Sequence, residues 1–482
     1  MKRIKGFTLI ELLSVIVILA IISLIVVPTI VNIITKVRIS TAKANFHGYI
    51  DAVENASSLL NINTGKVPTT VDELEVEAKN IDNINLISLT FNEDGDVKKA
   101  KATINGLYCT YKENSDVKCT TNMYSYIKNI YNLTYYDKET IQNIYFVDEK
   151  RNGTPIDISV DSNNIVLLYL EENGNIVNEK NMYDMYIYSE YMISAPADST
   201  NFFRDLVYLD TLDFNDIFDT SNVTNMNSMF YNTGYNSLTF NIVGLSNWNV
   251  SNVTNMSAMF KNAGYNSTTW NIGELSKWNT SNVTDMHDMF YNAGYSSETF
   301  NLGNLSNWDT AKVNGMNGMF YKSGYKSQTW SVGELSGWNT SNVDTMYIMF
   351  NGAGYSATTW NALNLSAWDT GNVTNMYGMF TNAGYSATTF NLGDLSKWNT
   401  SNVTDMGEMF SLSGFKATTW SLGDLSAWDT SNVTNMHGTF YYAGNSANYS
   451  LDLSKWNVSK VTDYESFNLG ATNKITPPEW KN

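Results

Sequence analysis

Histidine is nearly missing from this chain: three occur in 482 residues, His47, His287 and His437. A nucleophilic triad needs a histidine beside a hydroxyl and an acid. Here His47 sits in a helical stretch with no second metal-type residue spaced with it, and His287 and His437 fall at variable positions of a repeat. The only two cysteines, Cys109 and Cys119, make no cysteine-histidine metal spacing, and no phosphate loop or calcium loop is present. Glycan hydrolysis needs two carboxylates at one fixed separation, whereas Glu274, Glu334, Asp394 and Asp424 recur at one register as a ladder. The sequence therefore reads as a non-enzyme with no cofactor and no metal. Positive charge is also short, 30 Lys and Arg against 47 Asp and Glu, for a net charge of −17. That balance disfavours polyanions and excludes nucleic acid as a partner.

One long hydrophobic run is present, "GFTLIELLSVIVILAIISLIVVPTIVNII", and no Lys or Arg occurs from Gly6 to Thr35. About 20 apolar residues at about 1.5 Å each cross a bilayer, so positions 7–34 can span one. Lys2, Arg3 and Lys5 precede the run, which keeps the N-terminus cytoplasmic and sends the rest outward. Nothing like Ala-x-Ala closes the run, unlike an ordinary secretory signal. Glu11 lies inside it, and an ionised acid there costs on the order of 2.5–3.5 kcal/mol unless partnered.

Gly6-Phe7-Thr8-Leu9-Ile10-Glu11, followed by the apolar helix containing Pro28, resembles the class III signal of type IV prepilins and pseudopilins. The resemblance implies that a membrane-embedded prepilin peptidase cuts between Gly6 and Phe7 and methylates the new amine of Phe7. Glu11 of one subunit would then pair with that amine on a neighbour, because a buried carboxylate is tolerable when paired.

After Pro28 an amphipathic pattern continues, with Val37, Ala44, Tyr49, Val53 and Leu60 near one stripe. One helix from about Thr8 to Leu60 fits, broken by "NTGKVP". From Val71 to Cys119 the segments "NLISLTF", "KKAKATI" and "GLYCTY", with the turn signal "NEDGD", read as a small antiparallel sheet packed on that helix, again as in pilins. Cys109 and Cys119, in "LYCTYKENSDVKC", fit either a hairpin disulfide in an oxidising exterior or two free thiols. Residues 120–219 suggest strands and read in their later part as an N-terminal cap on the region from residue 220 onward.

That region is a repeat. "SNVTNM" and its variants recur at Ser221, Ser251, Ser281, Ala311, Ser341, Gly371, Ser401 and Ser431, 30 residues apart, with a shortened turn from Ser459. Such a period implies a solenoid of turns stacked about 4.8 Å apart. In the unit from Thr388, Phe390 and Leu392 alternate with Thr389 and Asn391, as in a strand with one face buried. Leu395 and Trp398 continue that face. Thr400 and Ser401 then read as N-caps of a helix of two to three turns carrying Val403, Met406, Met409 and Phe410, with Gly414 as its left-handed stop. Trp248, Trp278, Trp308, Trp338, Trp368, Trp398, Trp428 and Trp456 mark one point of successive turns and read as stacked core; the methionines are packing.

The unit, with "WDTSNVTNM" from Trp428 and its variant from Trp368, is similar to the BspA-like leucine-rich-repeat surface proteins, departing from their shorter unit by an added "AGYSATT" segment. The fold class expected is an α+β pilin head followed by an α/β leucine-rich-repeat-type solenoid of about eight turns. Its parts are a leader (1–6), a pilin helix (7–60), a pilin β-domain (61–119), a linker and cap (120–219), repeats (220–470) and a tail (471–482). Thr269, Asn271, Thr299, Asn301, Thr359, Asn361, Thr389 and Asn391 should project outward as a polar grid able to bind a glycan or extended peptide, or else simply ladder with one another and with water. The resemblances imply a minor or tip pilin displaying an adhesin. Its partners would be other pilin subunits, the prepilin peptidase, the membrane before assembly, and a host or microbial surface protein or glycan. A pseudopilin of a secretion or competence machine is the alternative.

Overall fold

The computed structural model describes residues 9–76, 83–121, 124–160, 165–360 and 363–480, with helix side chains from residue 29 onward. The chain divides into two compact units, residues 1–123 and 124–482.

In the first unit, α1 (Leu9–Thr64) ends where Gly65, at φ +70, bonds its N–H to the Asn61 carbonyl, the left-handed stop expected of "NTG". Its inward stripe is Ala42, Phe46, Tyr49, Ile50 and Val53. The expected stripe is thus rotated: Tyr49 and Val53 are in the core, but Val37 is 60% exposed, Ala44 is exposed and Leu60 is half-buried. Both phases obey the helical period, and Phe46 and Ile50 bury more apolar area than Ala44 and Val37 would. Among the described residues no helix is long and apolar enough to cross a membrane; the side chains of the apolar run up to Pro28 lie outside them.

Strands β1 (Ile84–Phe91), β2 (Val97–Ile104), β3 (Leu107–Lys112) and β4 (Lys118–Thr120) form a consecutive antiparallel sheet whose Val97, Ala100, Ala102, Ile104 and Leu107 join the helix stripe in one core. The β1–β2 turn is "NEDGD": the Asn92 Oδ1 accepts from the N–H groups of Asp94 and Asp96. The helix holds this turn, with Ser57 Oγ donating to the Gly95 carbonyl at 2.6 Å and Glu54 Oε1 accepting from Val97 N–H at 3.1 Å. Burial lifts the Glu54 carboxyl above its ordinary pKa. Cys109 and Cys119 face each other across β3 and β4 and are joined as a disulfide.

The second unit opens with β5 (Tyr124–Tyr126), β6 (Ile141–Val147), β7 (Ile156–Asp157), β8 (Leu167–Val177), β9 (Lys180–Tyr188), β10 (Met192–Ser194), β11 (Thr211–Asp213) and β12 (Phe218–Asp219). From there each turn of the repeat gives one short strand: β13 (Thr239–Val243), β14 (Thr269–Asn271), β15 (Thr299–Asn301), β16 (Thr329–Ser331), β17 (Thr359–Trp360), β18 (Thr389–Asn391) and β19 (Thr419–Ser421). The pair β20 (Leu451–Asp452) and β21 (Ile475–Thr476) closes the series. The strands fall into several sheets, with no closed barrel among the described residues; the largest has the order β14-β13-β11-β6-β9-β8-β7. Residues one period apart pair in parallel, as Thr239 with Thr269, Thr299 with Thr329 and Thr389 with Thr419. A second line of bridges runs from Asp198 through Asn225, Asn255, Asp285 and onward to Asp463.

The helix expected over Val403 to Phe410 does not form, so the α/β description of the repeats is corrected. Met406, Glu408, Phe410 and Leu412 donate their N–H groups to Asn435, His437, Thr439 and Tyr441 of the next turn, while Met409, Ser411 and Ser413 bond back three residues. Glu408, Leu412 and Gly414 have positive φ of +53, +55 and +50, incompatible with a right-handed helix. Neighbouring strands lie about 4.8 Å apart and an α-helix is about 10 Å wide, so a helix in every unit would force the ladder to fan out into a horseshoe. A helix would also consume internally the N–H groups that tie one turn to the next.

Val403, Met406, Met409 and Phe410 are nevertheless fully buried, as are Phe390, Leu392 and Leu395. The eight tryptophans form one column with centroids 5.9 to 6.5 Å apart. From Trp278 on, each indole N–H donates to a leucine carbonyl of the turn before, such as Trp338 to Leu305 at 2.9 Å. Trp248, the first, has no such partner among the described residues. At the other end Trp480 stacks on Tyr464 at 4.5 Å and meets Phe467 edge-on.

Candidate functional site

Period-two alternation places the expected grid where the sequence put it, outside. Thr269, Asn271, Thr299, Asn301, Thr359, Thr389 and Asn391 are all exposed, and Trp270, Phe300, Trp360 and Phe390 between them are buried. Asn361 lies outside the described residues. The amides are partly engaged: Asn271 Nδ2 donates to Asn241 Oδ1 at 2.7 Å, and the Oδ1 of Asn301 and Asn391 each accepts from Gly303 and Gly393 N–H at 2.9 Å. That leaves the amide N–H groups of Asn301 and Asn391 without a partner among the described residues, so the row offers donors.

The row continues beyond the eight residues expected from the sequence. Asp184, Asn143, Thr211, Asn241 and Asn271 stand in one register across β9, β6, β11, β13 and β14. Asn143 Nδ2 donates to Asp184 Oδ1 at 2.8 Å, and Gln142 Nε2 to Asp210 Oδ2 at 2.7 Å. Beside them Tyr145 and Tyr186 stack at 5.3 Å, and the Arg151 guanidinium lies 4.0 Å over Tyr186 while gripping Glu171 with two nitrogens. Burial, and then the Asp184 charge, push the Tyr145 phenol up. Thr239 and Asn241 were legible, one period before Thr269 and Asn271. Asn143 and Asp184 were not, because only the fold brings β6 and β9 beside the repeats.

Asp394 and Asp424 stand on successive turns, where the Asp424 charge acts on Asp394, but bonds from the Ser396 and Ser426 backbone N–H groups hold both carboxyls below the ordinary range. His287 Nδ1 meets Asp285 Oδ1 at 2.7 Å, His437 lies 3.5 Å from Asp463, and His47 is exposed on α1. Gly6 and Phe7 lie outside the described residues; Glu11 is in α1, with its side chain outside them.

A pilin-type signal and a ladder of 30-residue units together define a membrane-anchored and then surface-exposed repeat protein. Residues 1–27 match the prokaryotic N-terminal methylation motif. Residues 197–323, 235–353, 293–416 and 384–477 match the family described as Mycoplasma protein of unknown function, DUF285. Together these matches span residues 197–477, more than half of the chain, and the chain belongs to that family. The match begins beside Asp198, the first rung of the bridge line. No curated protein and no solved structure matches the chain.

Proposed function

We propose that the chain is a minor or tip subunit of a type IV pilus whose repeats form a BspA-like, leucine-rich-repeat-type solenoid serving as an adhesin for host, microbial or matrix surfaces. The observation that carries this reading is the pairing, on one chain, of the methylation motif with repeats that expose a row of Thr and Asn side chains. The amide N–H groups of Asn301 and Asn391, without a partner among the described residues, suit the hydroxyl and carbonyl acceptors of glycans and extended peptides. The chain acts by binding, not catalysis. Before assembly it sits in the membrane, with the prepilin peptidase and other pilin subunits as partners. A bulky repeat region on every subunit would crowd a fibre, so the subunit is sparse.

Two measurements test the reading. Immunogold labelling should mark pili sparsely, and label confined to the cell body would transfer the protein to a secretion or competence machine. Cells carrying Asn271→Ala, Asn301→Ala and Asn391→Ala together should attach less to matrix-coated surfaces, while Glu11→Ala should remove the subunit from fibres; wild-type attachment by the triple variant would eliminate the grid.

A further inference from the structure

One segment of each turn carries no acid. Residues 231–237, 261–267, 291–297, 321–327, 351–357, 381–387, 411–417 and 441–447 contain Lys261, Lys322, Lys326 and Lys416 but no Asp or Glu, in a chain with 47 acidic residues. The fifth place of successive segments holds Tyr235, Tyr265, Tyr295, Tyr325, Tyr355, Tyr385 and Phe415. These rings form an unbroken column, with centroids 4.5 to 4.9 Å apart and planes within 16° of parallel. Unlike the tryptophans they are only half-buried. Beside them Tyr291 and Tyr321 stack at 4.3 Å.

The lysines stand over this column. The Lys322 ammonium is 5.0 Å from the Tyr321 centroid and 5.9 Å from that of Tyr325, Lys326 is 5.5 Å from Tyr295, and Lys416 is 5.7 Å from Tyr385. None of the three makes an ion pair among the described residues, whereas Lys261 is taken by Asp288 at 2.7 Å. Three ammonium groups that no acid pairs among the described residues, in a band whose own segments hold no acid, attract an anion, and at physiological salt the net charge is screened beyond about 8 Å, so local groups decide what docks.

Which anion follows from the rings. Stacked face to face, they cover one another's π-surfaces and offer edges and hydroxyls, so bases have nowhere to stack and single-stranded nucleic acid gains little. Lys326 and Lys416 are three turns apart, about 14 Å at strand spacing, too sparse for a phosphate on every unit. Phenol hydroxyls exchange bonds with sugar hydroxyls, and lysines take carboxylate or sulfate. We propose that the tyrosine column from Tyr265 to Tyr385, with Lys322, Lys326 and Lys416, is a docking stripe for an anionic polysaccharide. The proposal rests on the adhesive reading and names its ligand class, on a register separate from the Thr and Asn row.

The test uses the full chain in detergent on surfaces bearing heparin, hyaluronan, dextran or single-stranded DNA. Binding to heparin or hyaluronan should exceed that to dextran and DNA, and should weaken roughly 10- to 40-fold between about 50 and about 200 mM salt, as release of about two to three counterions implies. Lys322→Gln, Lys326→Gln and Lys416→Gln combined should lose at least about tenfold. Lys277→Gln, Lys397→Gln and Lys455→Gln, with the same charge change at lysines on another register, should retain wild-type affinity. Tyr295→Phe with Tyr325→Phe keeps the stack and should weaken binding severalfold. Equal binding to dextran, tighter binding to DNA, or equal losses in the two lysine triples would overturn the stripe. If the stripe triple still attaches as cells while the Asn triple does not, adhesion stands and the stripe falls; loss of attachment in both assigns two contacts to one adhesin.

Discussion

The tryptophan column allows a single hydrogen bond to be weighed against an internal control. Trp338→Phe removes the indole N–H that donates to the Leu305 carbonyl at 2.9 Å; Trp248→Phe removes a buried indole N–H that has no partner among the described residues. Both rings are nearly fully buried and stacked on their neighbours, so both incur the transfer and cavity cost of a smaller ring, of order 1–2 kcal/mol. Trp338 adds the net worth of the hydrogen bond, about 1 kcal/mol, and no more, because the Leu305 carbonyl keeps its bond from Trp308 N–H, whereas Trp248→Phe sheds a buried unsatisfied donor, which lowers its cost by about 1 kcal/mol or more. Native-state hydrogen exchange reads these energies as local opening. Amides of the turns flanking residue 338 should exchange roughly 30- to 150-fold faster, those flanking residue 248 at most roughly fivefold, a ratio of about 30. Trp308→Phe and Trp368→Phe should follow Trp338→Phe. Equal acceleration at 248 and 338 would refute the assignment of energy to the indole bond. Acceleration spread evenly over every turn would refute nearest-neighbour coupling.

Gly95→Ala should destabilise the first unit by about 2 kcal/mol, roughly 10 °C in midpoint, because a Cβ there lies 2.7 Å from Ser57 Oγ and the backbone is at φ +93; adding Ser57→Ala should recover only part of the loss, and an unchanged thermal midpoint would contradict the packing. The Asp285–His287 pair should show linked titration: the Asp285 bond lifts the His287 pKa above 6.5 against the effect of burial, and although burial alone raises Asp285, bonds from the His287 ring and N–H bring it below 3.8. The His287 contribution is therefore complete below pH 6.5 and is lost as pH rises through its elevated value, while that of Asp285 is complete above pH 3.8 and is lost as pH falls through its depressed one. NMR titration of the His287 ring should show the raised value, and Asp285→Asn should bring it back toward 6.5.

The elements legible in the sequence are those whose physics is local or periodic. "NEDGD" and "NTG" fixed a turn and a helix end because Asn and Gly carry the left-handed and side-chain-bonded geometries by themselves. The Thr and Asn row was legible because alternation survives any choice of fold for the rest of the turn. The repeat helix was misread for a definite reason: Val403, Met406, Met409 and Phe410 have the spacing of a helix face, but tight turns closed by bonds from residue i to i−3 bury the same positions. Separating the two requires knowing where the intervening N–H groups go; Glu408 and Leu412 give no sign of it, but their registers in other turns hold Gly318, Gly378, Gly438, Asn262, Asn292 and Gly352, all at positive φ. The row through Asp184 and Asn143 was hidden because it depends on which strands become neighbours. The phase of α1 was hidden because it depends on which stripe meets the sheet.

The segment "AGYSATT" and its counterparts in other turns carry the tyrosine column, Lys326, Lys416 and the threonines of the exposed row, while Lys322 and the asparagines of that row lie outside it. In "AGYSATT", from Ala353 to Thr359, Gly354 takes the positive φ of +54, and a Cβ there would strike the Trp330 side chain at 2.6 Å, so glycine is what lets one turn lie against the next. Tyr355 then enters the half-buried column, stacked 4.6 Å from Tyr325 and 4.5 Å from Tyr385. Thr359 closes the segment in the exposed row, paired with Thr329. Buried positions outside this segment, the tryptophans, the Met pairs and the valines of "SNVT", are committed to the core. The segment thus places a stacked aromatic and a solvent-facing hydroxyl on nearly every turn while its Ala353, Gly354 and Ala357 pack into the core. Binding specificity in this chain should accordingly change with substitutions in that segment and be indifferent to conservative exchanges on the acidic register of Glu274 and Asp394.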